Sequence, residues 1–157
     1  MSVVNVTEQQ QLHVSIDFDR FPEKYTCKGE NVSPRVRVSG AQQPFLAIIL
    51  EDPDAPEKPF VHWVIWNISS GLEIPENVSK VERPPEIDGA VQGTTTGLSI
   101  GYDGPCPPRG QIHHYHFKVY GHDGPLDLRP GATRNDLLKA IAERSRQYGE
   151  AMATFQR

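Results

Sequence analysis

The stretch FLAIILEDPDAPEKPFVHWVIWNI, residues 45–68, decides the fold. Its first part, FLAIILE (45–51), is apolar without a break yet too short for a typical helix, so it reads as a buried strand. Its last part, VHWVIWNI (61–68), is apolar on both faces apart from His62 and Asn67, the pattern of a central strand covered on both sides. Between them the prolines of EDPDAP (51–56) fix φ and leave Asp52 and Asp54 in a stiff loop. An isolated Asp-Pro pair commonly serves a local Asx-turn; a second aspartate in the same rigid loop points to carboxylates held for binding.

Outward from this core the alternating pattern recurs. LHVSIDF (12–18) places Leu12, Val14, Ile16 and Phe18 on one face, and RVRV (35–38) repeats the alternation in short form. HHYHFKVY (113–120) sends His113, Tyr115, Phe117 and Val119 to the more apolar face and His114, His116, Lys118 and Tyr120 to the other. Turn signals such as Ser39-Gly40, Ser70-Gly71, Asp88-Gly89 and Pro130-Gly131 separate these runs. The 13 glycines and 14 prolines make the chain turn-rich, yet well below the share of roughly 25 to 30% that marks low complexity. Together these features predict a mainly β protein, an antiparallel two-sheet sandwich with Greek-key-like connections.

At the C-terminal end the period changes. Thr133 or Asn135 can cap a helix, Asp136 suits its positive end, and Leu137, Leu138, Ile141, Ser145, Tyr148, Met152 and Phe155 follow at helical spacing. The expectation is one helix over 134–147, bent or ended at Gly149.

With 157 residues one core can be filled, so residues 1–157 are read as a single domain. A hydrophobic share of 37% beside 23% charge places the chain among globular proteins. No apolar run approaches the ~20 residues that span a bilayer. The first residues lack a basic and then apolar signal pattern, which makes the cytoplasm the expected location. A net charge of -4 argues against nucleic acid as a partner, because that affinity rests on an excess of Lys and Arg. Cys27 and Cys106 belong to no C-x-x-C pair or zinc-spaced cluster, so thiols are expected in a reducing cytosol, with a bridge only where the fold brings them together.

Two inward histidines, His62 and His113, beside Asp52 and Asp54 suit an anion: carboxylates would orient the rings and raise their pKa, making cationic donors. Each alone reads as a satisfied core histidine, the commoner fate of a lone buried imidazole. His114 and His116 share the exposed face and read as surface residues, with no metal site. In GYDGPCPPRG (101–110) the glycines allow close approach, and the Gly104 and Cys106 N–H groups are placed to meet a phosphate oxygen unless this is an ordinary proline-rich turn.

The ordered set YTCKGENVSP (25–34), EDPDAP, HWVIWNI (62–68) and GYDGPCPPRGQIHHYHFKVY (101–120) resembles the phosphatidylethanolamine-binding protein family, in its bacterial and archaeal Raf-kinase-inhibitor-like branch. The resemblance implies a sandwich with a small anion cavity near the surface and a ligand set of Asp52, Asp54, His62, Tyr102, Gly104, Cys106, Pro107, His113 and Tyr115, with the tyrosines as walls. It also implies a phosphate-containing ligand such as a phospholipid head group, no cofactor, and a cis peptide at Ala55-Pro56. A kinase or serine protease partner, or a homodimer, is open on the same grounds. Departures are QGTTTG (92–97), His114 where relatives have arginine, and YGH at 120–122. Against a non-enzymatic binding role stands a hydrolase reading, with Cys106 as nucleophile and His113 or His62 as base, or with an Asp/His metal cluster.

Overall fold

The computed structural model describes residues 11–157. Strands are β1 (His13–Ser15), β2 (Arg37–Ser39), β3 (Phe45–Asp52), β4 (Phe60–Ser69), β5 (Val91–Gln92), β6 (Ile112–His122) and β7 (Ser145–Gln156), with one α-helix, α1 (Arg134–Ile141). They form a five-stranded sheet in the order β5-β4-β3-β6-β7 and a small β1-β2 sheet, both antiparallel. After β4 and the edge strand β5, the chain crosses back to lay β6 on the far side of β3.

The run FLAIIL (45–50) is apolar throughout because both of its faces are covered. Leu46, Ile48 and Leu50 of β3, Trp63, Ile65 and Ile68 of β4, and Tyr115, Phe117 and Val119 of β6 enter a core closed by Leu12, Phe21, Val36 and Ile74. Ala47 and Ile49 of β3 with Val64 and Trp66 of β4 face the other way, beneath Leu137 and Ile141 of α1 and Leu126. Fully burying each of these large side chains is worth about 1.5–3 kcal/mol, so the central strands anchor the fold. No helix among the described residues is long and apolar enough to cross a membrane.

The C-terminal end departs from the expected helix over 134–147. Thr133 caps α1 through a reciprocal box with Asp136, but the helix stops at Ile141. Residues 145–156 pair with β6 along its whole length, from His122↔Ser145 to Ile112↔Gln156. The inward positions here, 147, 149, 151, 153 and 155, carry Gln, Gly, Ala, Ala and Phe, so small residues concealed the two-residue period. Gly149 is required by contact: a Cβ there would lie 2.3 Å from the Leu12 carbonyl oxygen.

Candidate functional site

The end of β3, the start of β4 and the start of β6 meet the 101–110 loop at one rim of the large sheet. A cavity of about 240 Å³ opens there, lined by Asp52, His62, Gly104, Cys106, Pro107, His113 and Tyr115, with Ala55, Pro56, Glu57, Phe60, Asp103 and Pro108 added.

His62 reaches this rim through a bulge. The β3–β4 register passes from Leu50↔Trp63 to Glu51↔Val61, which leaves His62 as the extra residue. A bulge re-aims the side chain it carries, and here it sets the His62 ring 5.3 Å from Tyr115 and 4.7 Å from Phe60. Its Nδ1–H donates to the Asp103 carbonyl at 2.6 Å, while the Asp103 N–H donates back to the His62 carbonyl at 2.8 Å. Burial pushes the His62 ring below the ordinary histidine value, the Asp103 contacts opposing this only in part. The expectation of a raised pKa is corrected at this residue: its partner is a neutral carbonyl, which cannot match the desolvation of the cation.

His113 has the partner the sequence suggested. Its Nδ1–H donates to Asp52 Oδ2 at 2.6 Å, with both side chains under 5% exposed. The second Asp52 oxygen accepts the Asp54 N–H at 2.8 Å, an Asx-turn that holds the carboxylate in place. On its other side His113 Nε2 meets the Gln111 side-chain amide at 3.0 Å. Tyr115 stands between the two imidazoles, its ring centroid 6.4 Å from that of His113. Burial pushes the Tyr115 phenol far up, so its O–H stays a donor.

Five expectations need correction. Asp54 orients neither inward ring: the Asx-turn swings it to the outer face, where its Oδ2 accepts from the backbone N–H and the Nδ1–H of His114, each at 2.8 Å. These His114 contacts hold the Asp54 carboxyl below its usual value, and it lies outside the cavity lining. Tyr102 is no wall either; its ring packs edge-on to Trp63 and its hydroxyl donates to the Tyr25 carbonyl at 2.6 Å, so it ties the 101–110 loop to the 3-10 turn Glu23–Tyr25. The Gly104 N–H is already used, donating to Asn31 Oδ1 at 2.7 Å. Finally, Cys27 and Cys106 form a disulfide with Cα atoms 5.4 Å apart, beside a Cys27 N–H to Pro105 carbonyl bond. Loops distant in sequence are close enough in space to bridge. The cis peptide sits at Lys58-Pro59 rather than Ala55-Pro56; both precede proline, so amide chemistry alone could not choose between them.

Asp103, Glu57, Phe60 and Gln111 were missed. Asp103 and Gln111 lie inside a quoted motif, but Asp103 acts through its backbone carbonyl, which no side-chain pattern reveals. His114 and His116 are surface residues, His116 bound to Glu150 at 2.6 Å.

This arrangement has counterparts in known proteins. A family model described as phosphatidylethanolamine-binding protein matches residues 13–156. UPF0098 protein PH1269 of Pyrococcus horikoshii is 44% identical over 96% of this chain and 79% of its own. A UPF0098 protein of Methanothermobacter thermautotrophicus is 48% identical over 82% of this chain and 85% of its own. A putative phosphatidylethanolamine-binding protein homolog from Chlamydia trachomatis superposes with a TM-score of 0.84 at 30% identity, covering 94% of this chain and 99% of its own. E. coli YbcL shares the fold, with a TM-score of 0.83 at 23% identity over 93% of this chain and 98% of its own. With the family model spanning nearly every described residue, the chain belongs to the phosphatidylethanolamine-binding protein family.

Proposed function

We propose that this protein binds small phosphate-bearing head groups and performs no covalent step on them. The observation that carries this reading is the convergence of two separately oriented imidazoles, His113 on Asp52 and His62 on the Asp103 carbonyl, upon one small cavity with Tyr115 between them. The volume, about 240 Å³, lies below the 300–1,000 Å³ usual for drug-sized ligands and suits a head group with its substituent left outside. Glu57 in the lining offers a carboxylate to an ammonium group such as that of ethanolamine. A cysteine-based hydrolysis is disfavoured because the Cys106 sulfur is bonded to Cys27 and has no thiolate to offer.

Titration with phosphoethanolamine while following the ring signals of His62 and His113 tests the proposal. Saturable shifts in both rings are expected, with the ligand recovered intact. Unmoved rings, or hydrolysis of the ligand, would remove its basis.

A further inference from the structure

The cavity is unusual for an anion site in what lines it. Its acidic lining residues are Asp52, Glu57 and Asp103, and neither Lys nor Arg is among the lining residues. The Nδ1 proton of His62 is committed to a backbone carbonyl, which can only accept. In the neutral ring the remaining nitrogen, Nε2, is therefore a bare acceptor. Among the described residues the side-chain nitrogens sealed from solvent without a partner are Trp66 Nε1 and His122 Nε2, so His62 Nε2 opens on the cavity it lines. Tyr115 Oη has no partner among the described residues and belongs to the same lining, where it supplies a donor. His113 holds its Nδ1–H on Asp52 Oδ2 and its Nε2 against Gln111 Oε1 at 3.0 Å, so both of its ring nitrogens are engaged and the Tyr115 hydroxyl is the donor of this lining.

We propose that this pocket selects oxyanions that still carry a proton, hydrogen phosphate and singly charged phosphate monoesters, over fully deprotonated oxyanions of the same size such as sulfate. The inference rests on the head-group reading and narrows it. A ligand P–OH donates to His62 Nε2 while a charged oxygen of the ligand accepts from the Tyr115 hydroxyl. Sulfate, all acceptor at neutral pH, sets an oxygen lone pair against that nitrogen and leaves a buried acceptor unmade. A second negative charge on the ligand also meets carboxylates rather than a fixed cation.

The charged and titratable groups around His62 support the neutral ring. Asp103 and the Gly104 carbonyl face it from the 101–110 loop, Asp52 from β3, and His113 and Tyr115 from β6, with Phe60 packed on it from its own strand. Glu57 lines the same cavity from the loop before β4. Burial outweighs these carboxylates and carbonyls and keeps the ring below the ordinary histidine value.

The test compares inorganic phosphate with sulfate at matched ionic strength on the full chain, at pH 6, 7 and 8, by ring nitrogen resonances. In the free protein at pH 7, His62 should show a protonated Nδ1 and a bare Nε2. Phosphate should shift both rings and bind at least tenfold more tightly than sulfate at pH 6, the advantage narrowing toward pH 8 as the second charge is added but persisting, because the hydrogen phosphate dianion still carries one P–OH. Equal binding of the two anions, or a doubly protonated His62 at pH 7, overturns the inference while leaving the head-group site intact. Failure of both anions to move either ring overturns this inference and the site together.

Discussion

His113 Nδ1 lies 2.6 Å from Asp52 Oδ2, a contact between residues 61 positions apart that is buried to within a few per cent at both ends. Antiparallel pairing makes it: β3 and β6 run side by side from Phe45↔His122 to Glu51↔His116, and their ends deliver Asp52 and His113 to the same rim. A buried carboxylate against an imidazole is valuable only while both partners remain, since either alone would be an uncompensated polar group.

Asp52→Asn should therefore lower stability by about 1–3 kcal/mol, the range for losing a hydrogen bond to a charged group. Phosphoethanolamine affinity should fall at least tenfold as His113 loses its orientation. Asp54→Ala is the informative companion, because its partner His114 is on the outer face. That variant should change stability by under about 1 kcal/mol and leave binding nearly intact. Urea melts with parallel titrations check both; equal binding defects would mean that Asp54, too, acts on the cavity.

Stability should decline in mild acid. His62 and His122 are both buried, and burial holds both below the ordinary value of 6.5. Between their lowered folded values and ~6.5 the unfolded chain binds protons that the folded chain refuses, so unfolding is favoured as pH falls through that window. Above it these two groups contribute no slope. Chemical denaturation at pH 7.5, 6.5, 5.5 and 5 should show a plateau and then a fall; a flat profile down to pH 5 would mean both rings accept protons inside the fold.

Replacing both Cys27 and Cys106 by serine opens a link across a sequence separation of 79. Chain entropy assigns such a bridge roughly 2–4 kcal/mol, so the midpoint of thermal unfolding should drop by several degrees. Because Cys106 lines the cavity, ligand affinity should weaken as well. Melting the native chain with and without reductant gives the same comparison without mutation. An unchanged midpoint would show that the neighbouring loop contacts suffice.

Gly104→Ala should be among the most damaging single changes. Its Cβ would lie 2.2 Å from the Tyr25 carbonyl oxygen and 2.6 Å from Asn31 Oδ1, so the two loops would have to separate. A loss of about 2 kcal/mol or more is expected, with loss of head-group binding. Gly71→Ala serves as the control, since nothing lies within 4 Å of its added carbon. Similar thermal midpoints for the two variants would show that the loop yields without strain.

Much of this molecule was legible in local pattern. FLAIILE and VHWVIWNI are apolar on both faces because helix and loops cover one side and the β1–β2 layer the other, and the alternation in 113–120 pointed His113 and Tyr115 inward correctly. Residues 145–156 were misread because Tyr148, Met152 and Phe155 fall at a spacing a helix could use, while the inward glycine and alanines carry no hydrophobic signal. The short edge strand Val91–Gln92 had too few residues to show any period.

The amino-acid order by itself determined that the runs within 45–51, 61–68 and 113–120 are strands, that His113 and Tyr115 face inward, and that the two main motifs supply Asp52, His62 and His113, because hydrophobic periodicity is written residue by residue. Only the tertiary structure decided the partners: Asp52 for His113, the outer-face His114 for Asp54, a backbone carbonyl for His62, and Cys27 for Cys106. Such pairings depend on strand register, a bulge and loop approach at the scale of an ångström, and the protonation of each imidazole follows from the partner so chosen.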